Sequence, residues 1–385
     1  MTSSSEHPFL RYRERLDSYR AAIDLGWNDQ RFVDLVSELD DAVASVAGHG
    51  FVRTPFGRAS ELADAARLGG DLWVKDETDN VGHSHKARHL FGIALSHAVR
   101  GDDTGAPYAI SSCGNAAIAA ATIAKGIGRE LHVFVPTWAD AAVIDELTAL
   151  GAVLKVSPRR DGEQGDPCFL RYRESVAEGA VPFTVQGTEV PAALDGGRTL
   201  GWELAEQLAA AVGAPASLDV IYVQVGGGAL AASTSMALFD AVEAGWLSSV
   251  PRIRAVQPEQ AHPLVRAWQR LVGDAGGADP VAVMTAARAD PDAYMTPWET
   301  EPKSFATGIL DDVTYDWLPV VEAMARSGGT PVLASEETLH RSYELAHAHT
   351  DIPVCPTGAA GLAGLLTDPP GPTERAVVLF TGFDR

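Results

Sequence analysis

The chain has 385 residues, of which 46% are hydrophobic and 21% are charged, a composition that excludes a disordered, collagen-like or coiled-coil protein. Its 51 acidic and 30 basic residues give a formal net charge of -21, and because such a field repels phosphate backbones and anionic lipids, we expect no nucleic-acid and no membrane partner. The length exceeds that of one typical hydrophobic core, so we expect two lobes.

The three cysteines, at positions 113, 168 and 355, lack the CxxC spacing of a zinc or redox site. The first residues lack the apolar core of a signal peptide, and no apolar run reaches the roughly 18 residues of a membrane span. We therefore expect a soluble protein in the reducing cytoplasm.

Residues 1–50 are predicted to form a helical N-terminal extension. In RFVDLVSELDDAVASV, the side chains of Phe32, Leu35, Val36 and Leu39 recur at helical spacing.

Beyond residue 50, short β-rich runs alternate with Ala-rich helical runs, which is typical of an α/β fold with mainly parallel sheets. The predicted strands are 72–75, 108–111, 131–135, 153–156, 181–185, 220–225, 253–256 and 376–380. The predicted helices include 86–99, 116–125, 139–150, 199–211 and 230–244.

Four of these strands are consecutive and are separated by single helices. They predict a small domain at 107–186, and the strands on either side predict a large domain from 51–106 and 187–385. Ligands of open α/β sheets bind at the carboxyl ends of the strands, so we expect the site where those ends of the two sheets meet.

The first candidate segment is LWVKDETDNVGHSHKARHL, in which a helix begins at Lys86. The helix dipole disfavours a cation at this position, so the lysine calls for an explanation. A partly desolvated amine can form a Schiff base with an aldehyde cofactor. The alternative is a solvated surface lysine.

The second segment is YAISSCGNAA, where a strand runs into a polar loop and a helix. The loop residues Ser111, Ser112, Cys113 and Gly114 can offer hydroxyl and backbone N–H donors to a substrate carboxylate. Ser112 or Asn115 could instead simply cap the helix.

The third and fourth segments also follow buried strands. In VGGGAL, Gly226, Gly227, Gly228 and Ala229 open a helix, and their successive N–H groups suit a phosphate better than they suit a plain tight turn. In LFTG, the last strand delivers Thr381 to its carboxyl end, although a lone threonine there is often only β-propensity.

Taken in order, the four segments resemble the fold-type II pyridoxal-phosphate enzymes, the tryptophan synthase β-like family that includes threonine synthase, threonine and serine dehydratases and cysteine synthase. The resemblance runs from about Thr54 to the C-terminal residues. It implies a two-lobed, three-layer αβα fold, pyridoxal 5'-phosphate as cofactor, a small amino acid as substrate and a homodimer.

The resemblance also implies a role for each segment. Lys86 matches the Schiff-base lysine and Asn115 the residue that bonds the cofactor's phenolic oxygen. Ser111 to Gly114 match the loop for the substrate carboxylate, and VGGGAL matches the phosphate loop. Thr381 matches the hydroxyl residue that meets the pyridine nitrogen.

Several positions depart from the family pattern. His85 replaces the usual aromatic residue before the lysine, Cys113 a hydroxyl residue, Ala229 the fourth glycine and Cys355 a glutamate. Gln257 stands where some relatives bind a divalent cation through glutamate. Because the His-x-His pairs at 83–85 and 347–349 also lack neighbouring ligands, we expect no metal.

The glycine loop favours a lyase that abstracts an α-proton and eliminates a β-substituent, as dehydratases and ammonia-lyases do. Threonine-synthase-like or cysteine-synthase-like replacement is the first alternative, because FLRYRERL and CPTGAAGLAGLL are more similar to threonine synthase. A non-catalytic cofactor-binding homologue is the second.

Overall fold

The computed structural model describes residues 6–102, 104–300 and 302–385, and these form two compact units. The first unit comprises 6–53, 79–199 and Arg385, and the second comprises 54–78 and 200–384. The division predicted from the sequence, with an extension at 1–50 and a small domain at 107–186, stays a prediction.

Strands and helices alternate along most of the described chain. The strands are β1 (Phe56–Arg58), β2 (Asp71–Asp76), β3 (Tyr108–Ser111), β4 (Leu131–Val135), β5 (Val153–Val156), β6 (Val181–Pro182), β7 (Val220–Gln224), β8 (Arg252–Pro258), β9 (Thr330–Ala334) and β10 (Arg375–Phe380).

The helices are α1 (Pro8–Arg11), α2 (Asp17–Asp24), α3 (Asp29–Ala47), α4 (Ser60–Ala65), α5 (Lys86–Arg100), α6 (Asn115–Gly126), α7 (Ala141–Ala149), α8 (Pro167–Ala177), α9 (Pro191–Val212), α10 (Ala229–Glu243), α11 (Pro263–Ala275), α12 (Met284–Ala289), α13 (Trp317–Ser327), α14 (Glu336–His349) and α15 (Pro356–Thr367). None of these helices is both long enough and apolar enough to cross a lipid bilayer.

The first unit contains a parallel four-stranded sheet in the order β5-β4-β3-β6. Three of its strands have the predicted bounds, but β6 ends at Pro182 rather than at residue 185. Proline has no N–H to donate, and β6 is an edge strand, where this loss is tolerated.

The N-terminal helices pack on the helices of this first unit. Helix α3 is capped by the Asn28 side chain and buries Phe32 and Val36 of the predicted stripe. It lies so close to α6 that a Cβ on Gly126 would come within 2.9 Å of the Val43 Cα atom. The Asp195 carboxylate of α9 accepts bonds from the first two N–H groups of α2, and burial raises the pKa of Asp195 to about 6.

The second unit contains a six-stranded sheet in the order β1-β2-β10-β7-β8-β9, in which only β1 pairs antiparallel. The sequence pattern missed two edge strands. β1 has three residues without a buried side, and β9 contains Pro331, which an edge position accommodates.

A buried ion pair joins the two chain segments of the second unit. The Lys75 ammonium of β2 lies 2.6 Å from Glu203 Oε1 of α9 and also donates to Thr54 O and Gln207 Oε1. Thr54 donates through its N–H to Glu203 Oε1 at 2.8 Å and through its hydroxyl to Glu77. Lys75, Glu77 and Glu203 are fully buried, so each charge depends on these partners.

Replacing Lys75 by methionine should lower the free energy of unfolding by about 3–5 kcal/mol, because the buried Glu203 carboxylate loses its cation. Urea unfolding measures this loss. The control is Arg288→Met, which breaks the surface pair of Arg288 and Glu322, whose side chains are 50% and 31% exposed; it should cost below about 1 kcal/mol. A loss for Lys75→Met no larger than that of the control would contradict the buried pair.

Candidate active site

Lys86 is the first residue of α5, as the sequence predicts. The preceding chain forms a 3-10 turn, Val81–His83, in which Gly82 has a φ of 63°. A Cβ on Gly82 would come within 2.9 Å of Ala119 Cα, so this turn is pressed onto α6. The turn that precedes Lys86 therefore packs against α6, the helix that begins at Asn115.

The histidine one turn after Lys86 is neutral, and the sequence analysis did not single it out. Burial, and to a lesser extent the charge of Lys86, lowers the pKa of His89 to about 3. His89 Nδ1 lies 2.9 Å from Ala193 O, and because a carbonyl oxygen only accepts, the proton sits on Nδ1. The sequence feature that could have identified His89 is its position three residues after Lys86, on the same face of the helix.

The loop between β3 and α6 is half-buried from Ser111 to Gly114. Asn115 is the first residue of α6 and Gly114 is its N-cap, without a side-chain capping bond. Asn115 therefore does not cap the helix. Its Oδ1 atom accepts a hydrogen bond from Arg385 Nη1, so the amide oxygen faces Arg385.

The glycine loop follows β7 in the second unit. A Cβ on Gly226 would lie 2.2 Å from Asp311 Oδ2 and 2.9 Å from Ile309 Cα, so no side chain fits there. Gly228 has a φ of +99° and is the N-cap of α10, without a side-chain capping bond. The sequence analysis did not predict that Asp311 would lie beside this loop.

Ala229 replaces a glycine of the family pattern without straining the loop. It is the first residue of the 15-residue helix α10, its φ is not positive, and its N–H is retained. Asp316 N donates to Gly227 O at 2.8 Å, which fixes the central glycine of the loop. The first turn of α10 therefore presents backbone donors at a helix N-terminus.

Thr381 directly follows β10, beside the glycine loop. β10 pairs with β7 in parallel, with Val378 opposite Tyr222, so both strands end at the same edge of the sheet. Thr381 is buried, and its Oγ1 lies 2.7 Å from Gln224 Nε2. Gln224 is a further residue that the sequence analysis missed.

Cys355, which replaces a glutamate of the family pattern, is a helix cap. Its Sγ accepts from Gly358 N at 3.3 Å, and its N–H donates to Gly382 O at 2.8 Å. The cysteine therefore joins the start of α15 to the residue after Thr381.

The candidate residues thus fall into two pairs of segments. The lysine and asparagine segments lie in the first unit, and the glycine loop and Thr381 lie in the second. A family model described as "Pyridoxal-phosphate dependent enzyme" matches residues 49–382. The chain belongs to this family of pyridoxal-phosphate enzymes.

One curated relative of the chain is a threonine dehydratase. L-threonine dehydratase biosynthetic IlvA of Haemophilus influenzae is 25% identical over 185 residues, which are 48% of this chain and 33% of that protein. The chain thus matches only about a third of the length of this curated relative.

Two solved structures show that the fold is shared over nearly the whole chain. The T.th. threonine deaminase is 24% identical with a TM-score of 0.66, over 91% of this chain and 98% of that one. Maize serine racemase is 19% identical with a TM-score of 0.64, over 91% and 93%. The α/β fold of fold type II, with mainly parallel sheets, is confirmed.

The cofactor of this pyridoxal-phosphate enzyme is pyridoxal 5'-phosphate, and the observed residues fit it. Its phosphate needs a cradle of donors without side chains, which the glycine loop and the start of α10 offer. Its ring needs a hydrogen-bonding group at the sheet edge, and Thr381 stands there.

Gln257 stands where some relatives have a cation-binding glutamate, and both polar atoms of its side chain hydrogen-bond to protein groups. Its Oε1 accepts from Leu264 N and Val265 N at the start of α11, and its Nε2 donates to Val225 O and Thr314 Oγ1. In the part of the chain that the structure describes, no group of three or more His, Cys, Asp or Glu residues is arranged to hold a metal ion.

Proposed function

We propose that this enzyme is a lyase that removes the α-proton of a small amino acid and eliminates its β-substituent, as dehydratases and ammonia-lyases do. The observation that carries the proposal is the neutral hydroxyl of Thr381 at the carboxyl end of β10, beside the glycine loop. The similarity to a threonine dehydratase supports it.

Lys86 is the proposed attachment point and base. Its amine opens α5 and is half-buried, so it combines partial desolvation with access to a bound molecule. Lys86 Nζ would hold the cofactor and, once exchanged for the substrate's amine, would take the α-proton. Bound pyridoxal phosphate supplies the electron withdrawal that makes this proton acidic.

Asn115 and the loop before it would orient the cofactor and the substrate. Asn115 Oδ1 accepts from Arg385, and Nδ2, the donor of the amide, would donate to the phenolic oxygen. The N–H groups at the start of the 12-residue helix α6, with the Ser111 and Ser112 hydroxyls, suit the substrate carboxylate.

The phosphate would be held by backbone N–H groups of Gly226 to Ala229, because the net charge of -21 provides no general attraction for an anion. The Asp311 carboxylate lies beside Gly226 and would repel the phosphate, so these backbone N–H donors are needed to hold it.

Thr381 would favour departure of a β-substituent over storage of charge in the cofactor ring. A hydroxyl, unlike a carboxylate, does not keep the pyridine nitrogen protonated. Charge on the α-carbon would then be less well stabilised by the ring, so departure of a β-substituent would be favoured. We include the homodimer implied by the resemblance in this proposal.

A panel of small amino acids with β-leaving groups, L-serine and L-threonine among them, tests the function. Incubation of the holoenzyme should release a keto acid and ammonia from at least one of them, detected by mass spectrometry. Substrate consumption only when a nucleophile is added would indicate a replacement enzyme. Bound cofactor without turnover of any amino acid would overturn the proposal in favour of a non-catalytic homologue.

The Lys86→Ala variant should lose the visible absorbance band of the lysine-bound cofactor and all turnover, because the Schiff base to the protein cannot form. Lys155→Ala is the control, since Lys155 is an exposed lysine of β5. An unchanged band in Lys86→Ala would show that another residue carries the cofactor.

The Gly228→Ala variant should bind the cofactor roughly tenfold more weakly or worse, because a side chain at a φ of +99° strains the loop that cradles the phosphate. Fluorescence titration of the apoenzyme measures this. Gly245→Ala is a matched control, since Gly245 also has positive φ, +72°, but faces open space after α10. Equal affinities for the two variants would remove the phosphate role of the loop.

A further inference from the structure

Gln224 is a buried polar residue at the end of an otherwise apolar strand. It is the last residue of β7, the residue is 4% exposed, and the four residues before it are Val, Ile, Tyr and Val. A glutamine in such a strand has to place its amide among protein partners, since water is excluded.

The orientation of the Gln224 amide follows from its neighbours. The nitrogen Nε2 lies 2.9 Å from Gly358 O and 3.3 Å from Leu379 O. Carbonyl oxygens only accept hydrogen bonds, so the atom facing them must be the donor nitrogen and not the amide oxygen.

This orientation decides the direction of the bond to Thr381. An amide N–H has no lone pair to offer, so Nε2 donates and Thr381 Oγ1 accepts, over 2.7 Å. The hydroxyl proton of Thr381 is therefore directed away from Gln224, toward the other polar groups around it.

The Gln224 side chain leaves one buried polar atom without a hydrogen bond. Among the atoms that the structure describes, its Oε1 is buried and has no hydrogen-bond partner. A leucine or methionine would fill the strand position without an unsatisfied oxygen, so packing alone does not explain a glutamine here.

We infer that Gln224 is a positioning residue that sets Thr381 as the hydrogen-bond donor to the pyridine nitrogen of the cofactor. The inference rests on the place that the proposed function gives to Thr381. With its lone pair engaged by Gln224, the Thr381 hydroxyl offers its proton to the ring, which keeps the ring nitrogen unprotonated and an acceptor.

The test is the 15N resonance of the ring nitrogen in holoenzyme loaded with 15N-labelled pyridoxal phosphate, because this resonance separates protonated from unprotonated pyridine. In the wild type near neutral pH it should be that of an unprotonated, hydrogen-bonded nitrogen. A protonated ring nitrogen in the wild type would overturn the inference without any variant.

The Gln224→Met variant keeps the side-chain volume and removes the donor. Without that donor the orientation of the Thr381 hydroxyl is no longer fixed, so the ring resonance should shift and the cofactor should bind about fivefold more weakly, as expected for one lost hydrogen bond. In the Thr381→Val background, adding Gln224→Met should change neither quantity further. An additive effect on the resonance would show that Gln224 does not act through Thr381.

Gln257→Leu is the matched control, because Gln257 is also a fully buried glutamine of the second unit but bonds Val225, Thr314 and α11 instead of Thr381. Its ring resonance should equal that of the wild type, and an equal shift in both variants would contradict a specific role for Gln224. None of these readouts uses turnover, so a negative keto-acid assay would overturn the proposed lyase and leave this inference standing.

Discussion

The candidate site of the second unit depends on the position of the last strand. β10 hydrogen-bonds in parallel to β2 on one side and to β7 on the other. Its register places Phe380 opposite Asp76, and it brings Thr381 to the edge where β7 ends and the glycine loop begins. A shift of one residue would turn Thr381 to the other face of the sheet and break its bond with Gln224.

The acidic net charge of this protein does not describe the local environment of its candidate site. The molecule is strongly acidic, yet the groups of the second unit that are proposed to meet an anionic cofactor are neutral or are backbone donors: the glycine loop, the start of α10 and the Thr381 hydroxyl. The buried Lys75 and Glu203 are engaged with each other and with neighbouring polar groups. Burial keeps His89, beside Lys86, neutral near neutral pH.

Much of the fold could be predicted because buried strands between helices leave a strong pattern. β3, β4 and β5 have the predicted bounds, and α5, α6 and α10 begin within one residue of prediction. The pattern failed at the sheet edges, where β1 is short, β9 contains proline and β6 ends after two residues. Edge strands bury less surface, so they select weaker sequence patterns.

The sequence by itself determined the candidate residues, because lysine, asparagine, glycine and threonine at strand-to-helix junctions are readable from local periodicity and composition. It also determined the family, since four such junctions occur in one order. Only the tertiary structure decided which partners these residues have. Gln224 and Thr381 are 157 positions apart, and Gly226 meets Asp311 through a separate loop. Such contacts depend on the order and register of the strands in the sheet. Because order and register are set by the packing of segments that are distant in the sequence, no local sequence pattern records them.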